Sequence, residues 1–151
     1  MRKGSKVGET KMKIVAISGG FDPLHVGHIK LIKEAKKLGD KLIVILNNDN
    51  WLVSKKGGAF MRQEDRKEIL ESLIDVDEVM ITFHESHPKD ISVCSELEVL
   101  HPDVFANGGD RKFNNIPEVQ LCKELDIEMV FNCGGEKLRS SSDLVKNSKR
   151  R

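Results

Sequence analysis

Apolar residues fall along this chain in two alternating rhythms. Lys13-Ile-Val-Ala-Ile-Ser18 and Lys41-Leu-Ile-Val-Ile-Leu46 are short, almost unbroken apolar runs. Runs of this length suit strands covered on both faces of a parallel sheet. Similar segments predict strands over Glu78–Thr82, Asp103–Ala106 and Ile127–Phe131. Between the strands the apolar residues recur at helical spacing. Ile29, Leu31, Ile32, Ala35 and Leu38 predict a helix over 27–38, stopped by Gly39-Asp40. Ile69, Leu70 and Leu73 predict one over 62–73, with Arg62, Arg66 and Lys67 on its other faces. A less regular pattern predicts a helix over 89–100, ended by Pro102. Another spans 116–125, with Pro117 in the first turn, where a missing N–H costs nothing. A last helix opens over Ser140–Lys146, and polar Asn47–Gly58, closing on Gly57-Gly58, reads as a loop.

Strands alternating with helices predict a single doubly wound, Rossmann-like α/β domain. About five parallel strands joined by right-handed crossovers give the order 3-2-1-4-5. Ligands in such sheets bind beyond the carboxyl ends of the strands, near the point where strand order reverses. The loops after the first, second, fourth and fifth strands are therefore where chemistry is expected.

The 151 residues suit one domain, placed over 12–147. No apolar run approaches the ~20 residues of a membrane span, and Met-Arg-Lys-Gly-Ser-Lys6 is no signal peptide. A soluble, cytoplasmic protein with no membrane partner is expected. Net charge is +1, but its placement is uneven. Residues 1–13 carry five Lys/Arg against one Glu, and residues 146–151 carry four with no acid. The body between them holds 16 Lys/Arg against 23 Asp/Glu, which argues against a nucleic-acid surface. The basic ends, 1–11 and 148–151, read as disordered tails. The three cysteines, Cys94, Cys122 and Cys133, are odd in number and lack C-x-x-C spacing, so neither zinc nor a disulfide framework is expected. Cys94 and Cys122 read as core residues, and Cys133 as one near a pocket.

The loop after the first strand concentrates the chemistry. Gly19-Gly20 bends the chain off the strand, and His25 and His28 follow at the start of a helix. Three residues apart, they share one side of a helical turn. The helix N-terminus adds free N–H groups and partial positive charge, and Gly27 lets a ligand approach the backbone. The set reads as a cradle for phosphate oxygens. The metal-ligand alternative lacks a third donor at short spacing, Asp22 being the nearby candidate.

Ser18-Gly-Gly-Phe-Asp-Pro-Leu-His-Val-Gly-His28 resembles the G-x-F-D-x-x-H-x-G-H signature of the cytidylyltransferase-like nucleotidyltransferases. Arg139-Ser-Ser-Ser142 is similar to that family's second motif. The resemblance covers roughly residues 12–147. It implies an enzyme that joins an NTP, ATP or CTP, to a phosphorylated small molecule and releases pyrophosphate. It also implies Mg²⁺ accompanying the NTP, and a homodimer. Gly108-Gly109-Asp110 and Arg139–Val145 look like the adenylyltransferase domain of enzymes that make ADP-heptose. Asp49 to Arg66 aligns without gaps to the glycerol-3-phosphate cytidylyltransferase pattern, where a lysine at the position of Lys55 binds phosphates. Archaeal FAD synthases are similar in the first motif and the following helix. The first of these, transfer to a sugar phosphate of the heptose-1-phosphate type, is the leading expectation, with the others as alternatives. A nucleotide-binding regulator without turnover is the non-enzyme alternative, and it would be expected to lack one of the two motifs.

On this reading His25, His28 and Lys55 are catalytic. Gly19, Gly20, Phe21, Asp22, Gly27, Asn107, Gly109, Asp110, Arg139, Ser140, Ser141 and Ser142 bind the nucleotide. Lys56 and Lys137 are weaker candidates for the phosphates. Asp49, Trp51, Arg66 and Arg111 are assigned to the acceptor or its sugar, Arg66 alternatively to a surface ion pair and Trp51 to anchoring its loop. No metal is assigned to protein ligands.

Overall fold

The two unbroken apolar runs pair with each other at the centre of a parallel sheet. In the computed structural model, which describes residues 11–108 and 116–134, β1 (Ile14–Gly19) lies in register with β2 (Lys41–Leu46), Ile14 opposite Lys41 and Gly19 opposite Leu46. β3 (Glu78–Ile81) adds beside β2, and β4 (Val104–Ala106) and β5 (Glu128–Val130) add beyond β1. All pairings are parallel and the order is β3-β2-β1-β4-β5, as the alternating pattern predicted.

Alternation along each strand sends side chains to two separate cores. Val15, Ile17, Leu42, Val44 and Leu46 meet Ile32 and Ala35 of α1 (Val26–Lys36). Leu70 of α3 (Gln63–Glu71) joins the same core. On the opposite face Ala16, Ile45 and Phe105 meet Leu97 of α4 (Cys94–Leu100) and Cys122 of α5 (Ile116–Leu125). Each buried Val, Leu, Ile or Phe among them contributes about 1.5–3 kcal/mol over its exposed state. None of the helices among the described residues is long and apolar enough to cross a membrane.

Four local expectations need correction. Asn47–Gly58 is not all loop: α2 spans Asp49–Lys56. Asn48 caps it by accepting the Trp51 N–H at 2.9 Å, and Gly57, at φ 86°, ends it in the left-handed conformation that glycine tolerates. The helix predicted over 89–100 starts only at Cys94. There Asp90 Oδ1 accepts the Ser92 N–H at 2.8 Å, a local bond that competes with helix formation. On α3 the inward residues are Arg66 and Leu70, whereas Ile69 faces outward. Cys94 is only partly buried, while Cys122 and Cys133 are buried. The helix expected over Ser140–Lys146 lies outside the described residues.

Candidate active site

Every strand delivers its carboxyl end to one rim, and α1 begins there directly after the β1 loop. His25 is its N-cap: Nδ1 accepts the Gly27 N–H at 3.1 Å. His28 Nδ1 in turn accepts the His25 N–H at 3.1 Å, closing a reciprocal capping box made of two imidazoles. The rings stack with centroids 3.9 Å apart, and Phe21 meets His28 edge-on at 4.8 Å. A backbone N–H on each Nδ1 selects the neutral tautomer with hydrogen on Nε2. The arrangement thus caps the helix and makes each Nε2 a donor. Gly27 has a further role that spacing did not reveal: a Cβ there would sit 2.9 Å from His25 Cε1 and displace the capping ring.

Two buried groups hold this turn in place. Asp22 accepts the Phe60 N–H on Oδ2 at 2.5 Å and the Met61 N–H on Oδ1 at 2.7 Å, fastening the chain after α2 to the β1 loop. Arg66, 1% exposed, donates from Nε to the Met61 carbonyl at 2.9 Å. One terminal nitrogen bonds the Gly20 and Asn47 carbonyls at 2.8 and 2.7 Å, and the other bonds Asp49 Oδ1 at 2.7 Å. The structure therefore places Arg66 as an internal strut between the β1 and β2 loops, not as a surface group facing an acceptor. Asp49 is its partner at the start of α2.

Trp51 is buried too, its Nε1–H donating to the Ile91 carbonyl at 2.8 Å, so it anchors α2 instead of offering an open ring. Lys55 stands exposed on the last turn of α2, its Nζ 6.0 Å from the Trp51 ring centroid. Asn48, which the sequence reading passed over, donates to the Thr82 and His84 carbonyls at 3.2 and 2.7 Å. A buried Asn two residues beyond a parallel strand was the available signal.

On the other side of β1, Asn107 follows β4, the strand between β1 and β5, and is buried. Its N–H bonds the Val130 carbonyl at 2.7 Å, and its carbonyl accepts the Cys133 N–H at 2.9 Å. Beyond Cys133, Gly134 packs on the backbone of α1, where a Cβ would lie 2.9 Å from Leu31. The chain after β5 thus leads back over the helix that carries the histidines. Gly109, Asp110, Arg111, Lys137, Arg139, Ser140, Ser141 and Ser142 lie outside the described residues. Cys133 lines an open groove with Lys30, Lys33 and Asn132 on the flank of α1. Among the described residues, no three His, Cys, Asp or Glu side chains converge as a metal site.

Comparison with known proteins gives the same picture. A protein named FAD synthase from Thermococcus sibiricus is 42% identical over 124 residues, 80% of each chain. A protein named Bifunctional protein HldE from Streptomyces coelicolor is 39% identical over 120 residues, which is 78% of this chain but 25% of that protein. A lipopolysaccharide core biosynthesis protein from Thermoplasma volcanium superposes with a TM-score of 0.66 at 28% identity, covering 80% of this chain and 94% of that one. The model of the family described as cytidylyltransferase-like matches residues 16–146, nearly the whole alternating domain and both turns that the sequence singled out. The chain belongs to the cytidylyltransferase-like family, as a nucleotidyltransferase on a Rossmann-like fold.

Proposed function

We propose that this protein transfers the nucleotidyl group of an NTP, ATP first, to the phosphomonoester of a free sugar or simple polyol that carries no flavin ring. The observation that carries this reading is the stacked His25–His28 pair at the N-terminus of α1, on the open rim of the sheet. An oxygen of the acceptor phosphate attacks the α-phosphorus, and the bond from that phosphorus to the pyrophosphate oxygen breaks. A phosphomonoester has a second pKa of about 6 and is already ionised at neutral pH, so no general base is required. Catalysis then rests on positioning and on stabilising charge that develops on the phosphates. The Nε2–H groups of His25 and His28, with the positive end of α1, act on the α-phosphate and the leaving group. Lys55 reaches the β- and γ-phosphates from α2, and Arg139 and Ser140–Ser142 complete the cradle. Gly19, Gly20, Asn107, Gly109 and Asp110 contact the nucleotide, and Arg111 the sugar or base. Mg²⁺ arrives on the triphosphate, held by phosphate oxygens and water. Both oxygens of Asp22 accept backbone N–H groups, which fits a loop clasp better than a metal ligand.

A second reading takes the phosphate of flavin mononucleotide as acceptor, favoured by the 42% identity to the Thermococcus protein over 80% of each chain. The test is pyrophosphate release with ATP or CTP against heptose 1-phosphate, glycerol 3-phosphate and flavin mononucleotide. Release with a sugar or polyol phosphate and ATP supports the first reading, and flavin mononucleotide alone supports the second. Nucleotide binding without turnover on any acceptor overturns both.

A further inference from the structure

Phe21 stands in the first motif, yet its side chain is turned into the protein. It is 3% exposed and belongs to the core that contains Ile17, Ile32 and Leu46. Its ring fills the space that glycine leaves at the end of β1: a Cβ on Gly19 would lie 3.2 Å from Phe21 Cε2 and 3.3 Å from Cζ. The same ring meets that of His28 at 62°, with centroids 4.8 Å apart, an edge-on geometry at which aromatic rings attract.

The backbone at this point is unusual. Phe21 has φ 49°, a left-handed conformation uncommon for a residue with a side chain, which persists only where the surroundings impose it. Both flanks of Phe21 are tied down. The Gly20 carbonyl accepts a hydrogen bond from Arg66 Nη1 at 2.8 Å, and the Asp22 carboxylate accepts the Phe60 and Met61 N–H groups. Between those bonds the chain has little freedom, and it sends the ring into the core.

His28 depends on such a support. Its Nδ1 accepts the His25 N–H at 3.1 Å, which fixes one nitrogen but leaves the ring able to tilt about that bond. Two ring contacts remove the tilt: His25, stacked at 3.9 Å with 30° between the planes, and Phe21 at 62°. His25 is itself only partly buried, whereas Phe21 is anchored in the core, so Phe21 is the firmer of the two walls. The direction of an N–H donor matters because its hydrogen bond weakens steeply as the angle departs from linear.

We propose that Phe21 is a positioning residue: its side chain makes no contact with the nucleotide and acts through His28, holding the imidazole in the orientation that its Nε2–H needs. The inference rests on the catalytic reading of His28 above and names what sets that group's geometry. Phe21→Leu tests it in the full chain, keeping an apolar side chain in the core and removing the aromatic wall. With ATP and whichever acceptor the parent turns over, kcat is expected to fall at least about tenfold while the ATP KM stays within about twofold, because a misplaced donor is missed mainly in the transition state.

Nitrogen-15 NMR of the imidazoles in the ligand-free protein reads the geometry without turnover. In the parent, His28 should show one tautomer, with hydrogen on Nε2. In Phe21→Leu its nitrogen shifts should move toward those of a two-tautomer mixture. Those of His84, held between Thr82 Oγ1 and the Ser92 carbonyl, should stay unchanged. Gly19→Ala is a milder variant whose methyl presses on the Phe21 ring, and it should move the His28 shifts the same way. Unchanged His28 shifts in Phe21→Leu, or in Gly19→Ala should the first variant not fold, overturn the proposal. So does an unchanged kcat in folded Phe21→Leu, whatever the ATP KM. Should no acceptor turn over in the parent, the nucleotidyl-transfer reading itself fails, and the His28 shifts alone decide for or against positioning.

Discussion

Replacing Arg66 by methionine keeps the aliphatic stem and removes the guanidinium that joins the loops after β1 and β2. Four hydrogen bonds disappear, to the Met61, Gly20 and Asn47 carbonyls and to Asp49. Hydrogen bonds from a charged group contribute about 1.5–3 kcal/mol each, but four from one side chain are not additive. Asp49 is 37% exposed and can turn to water, so the loss comes mainly from the buried carbonyls of Gly20 and Asn47 left unsatisfied, about 1–3 kcal/mol each and about 2–5 kcal/mol together. A domain of this size has about 5–15 kcal/mol of stability, so the variant should remain folded but be severely weakened. A surface ion pair in the same position would have contributed about 0–1 kcal/mol. Asp49→Asn, by contrast, keeps an acceptor oxygen on a half-exposed side chain and should cost about 0.5–1.5 kcal/mol. Urea unfolding followed by the fluorescence of Trp51, the only tryptophan, measures both changes. A loss below about 1 kcal/mol for Arg66→Met at unchanged m-value would refute the internal-strut argument.

His28→Ala should lower kcat by about 10²–10³ with a smaller change in KM, since a preorganised donor acts mainly on the transition state; near-normal kcat sinks the catalytic assignment. Burial of the Asp77 carboxyl raises its pKa, but hydrogen bonds from Lys36 Nζ and the Leu42 N–H, with the charges of Lys36 and Lys41, outweigh that and leave it below 3.8. A folded-state pKa lowered in this way stabilises above the unfolded value, and that contribution disappears as pH falls through the folded one. The stability gap between the parent and Asp77→Asn should therefore be full at neutral pH and close below pH 3.8, and a gap that widens on acidification would contradict the sign. Burial pushes the Cys122 thiol up to about 11 and raises Cys94 and Cys133 as well. Iodoacetamide near pH ~8 should accordingly modify the native protein far more slowly than the urea-unfolded chain, with Cys122 slowest; rapid native labelling of Cys122 counts against the burial.

Much of the fold is legible in the chain because a parallel sheet demands what a sequence displays openly. Unbroken apolar runs such as Leu42–Leu46 are tolerable only when both faces are covered, and helical spacing between them supplies the covering layers. The histidine turn is legible for a related reason. N-cap position, three-residue spacing and a glycine between are all local geometry, so the stacked pair needs no distant partner to form. Even Arg66 had a signal, lying four residues before Leu70 on the inward stripe of α3, but a charge within Gln-Glu-Asp-Arg-Lys-Glu reads as solvated. α2 was hidden because eight residues carrying two buried side chains show little periodicity, and its stability comes from the Asn48 cap and from Trp51 reaching Ile91. Tertiary structure alone decided the remainder. The strut from Arg66 to Gly20 spans 46 positions, the clasp from Asp22 to Phe60 spans 38, and Glu96 meets Phe83 across a loop. These bonds depend on which loops the strand order makes neighbours, and hydrogen bonding between residues so far apart leaves no period along the chain. Local pattern determined where the strands, helices and histidine turn would form, whereas burial of polar partners across the rim determined which polar residues hold the loops together and which stand exposed.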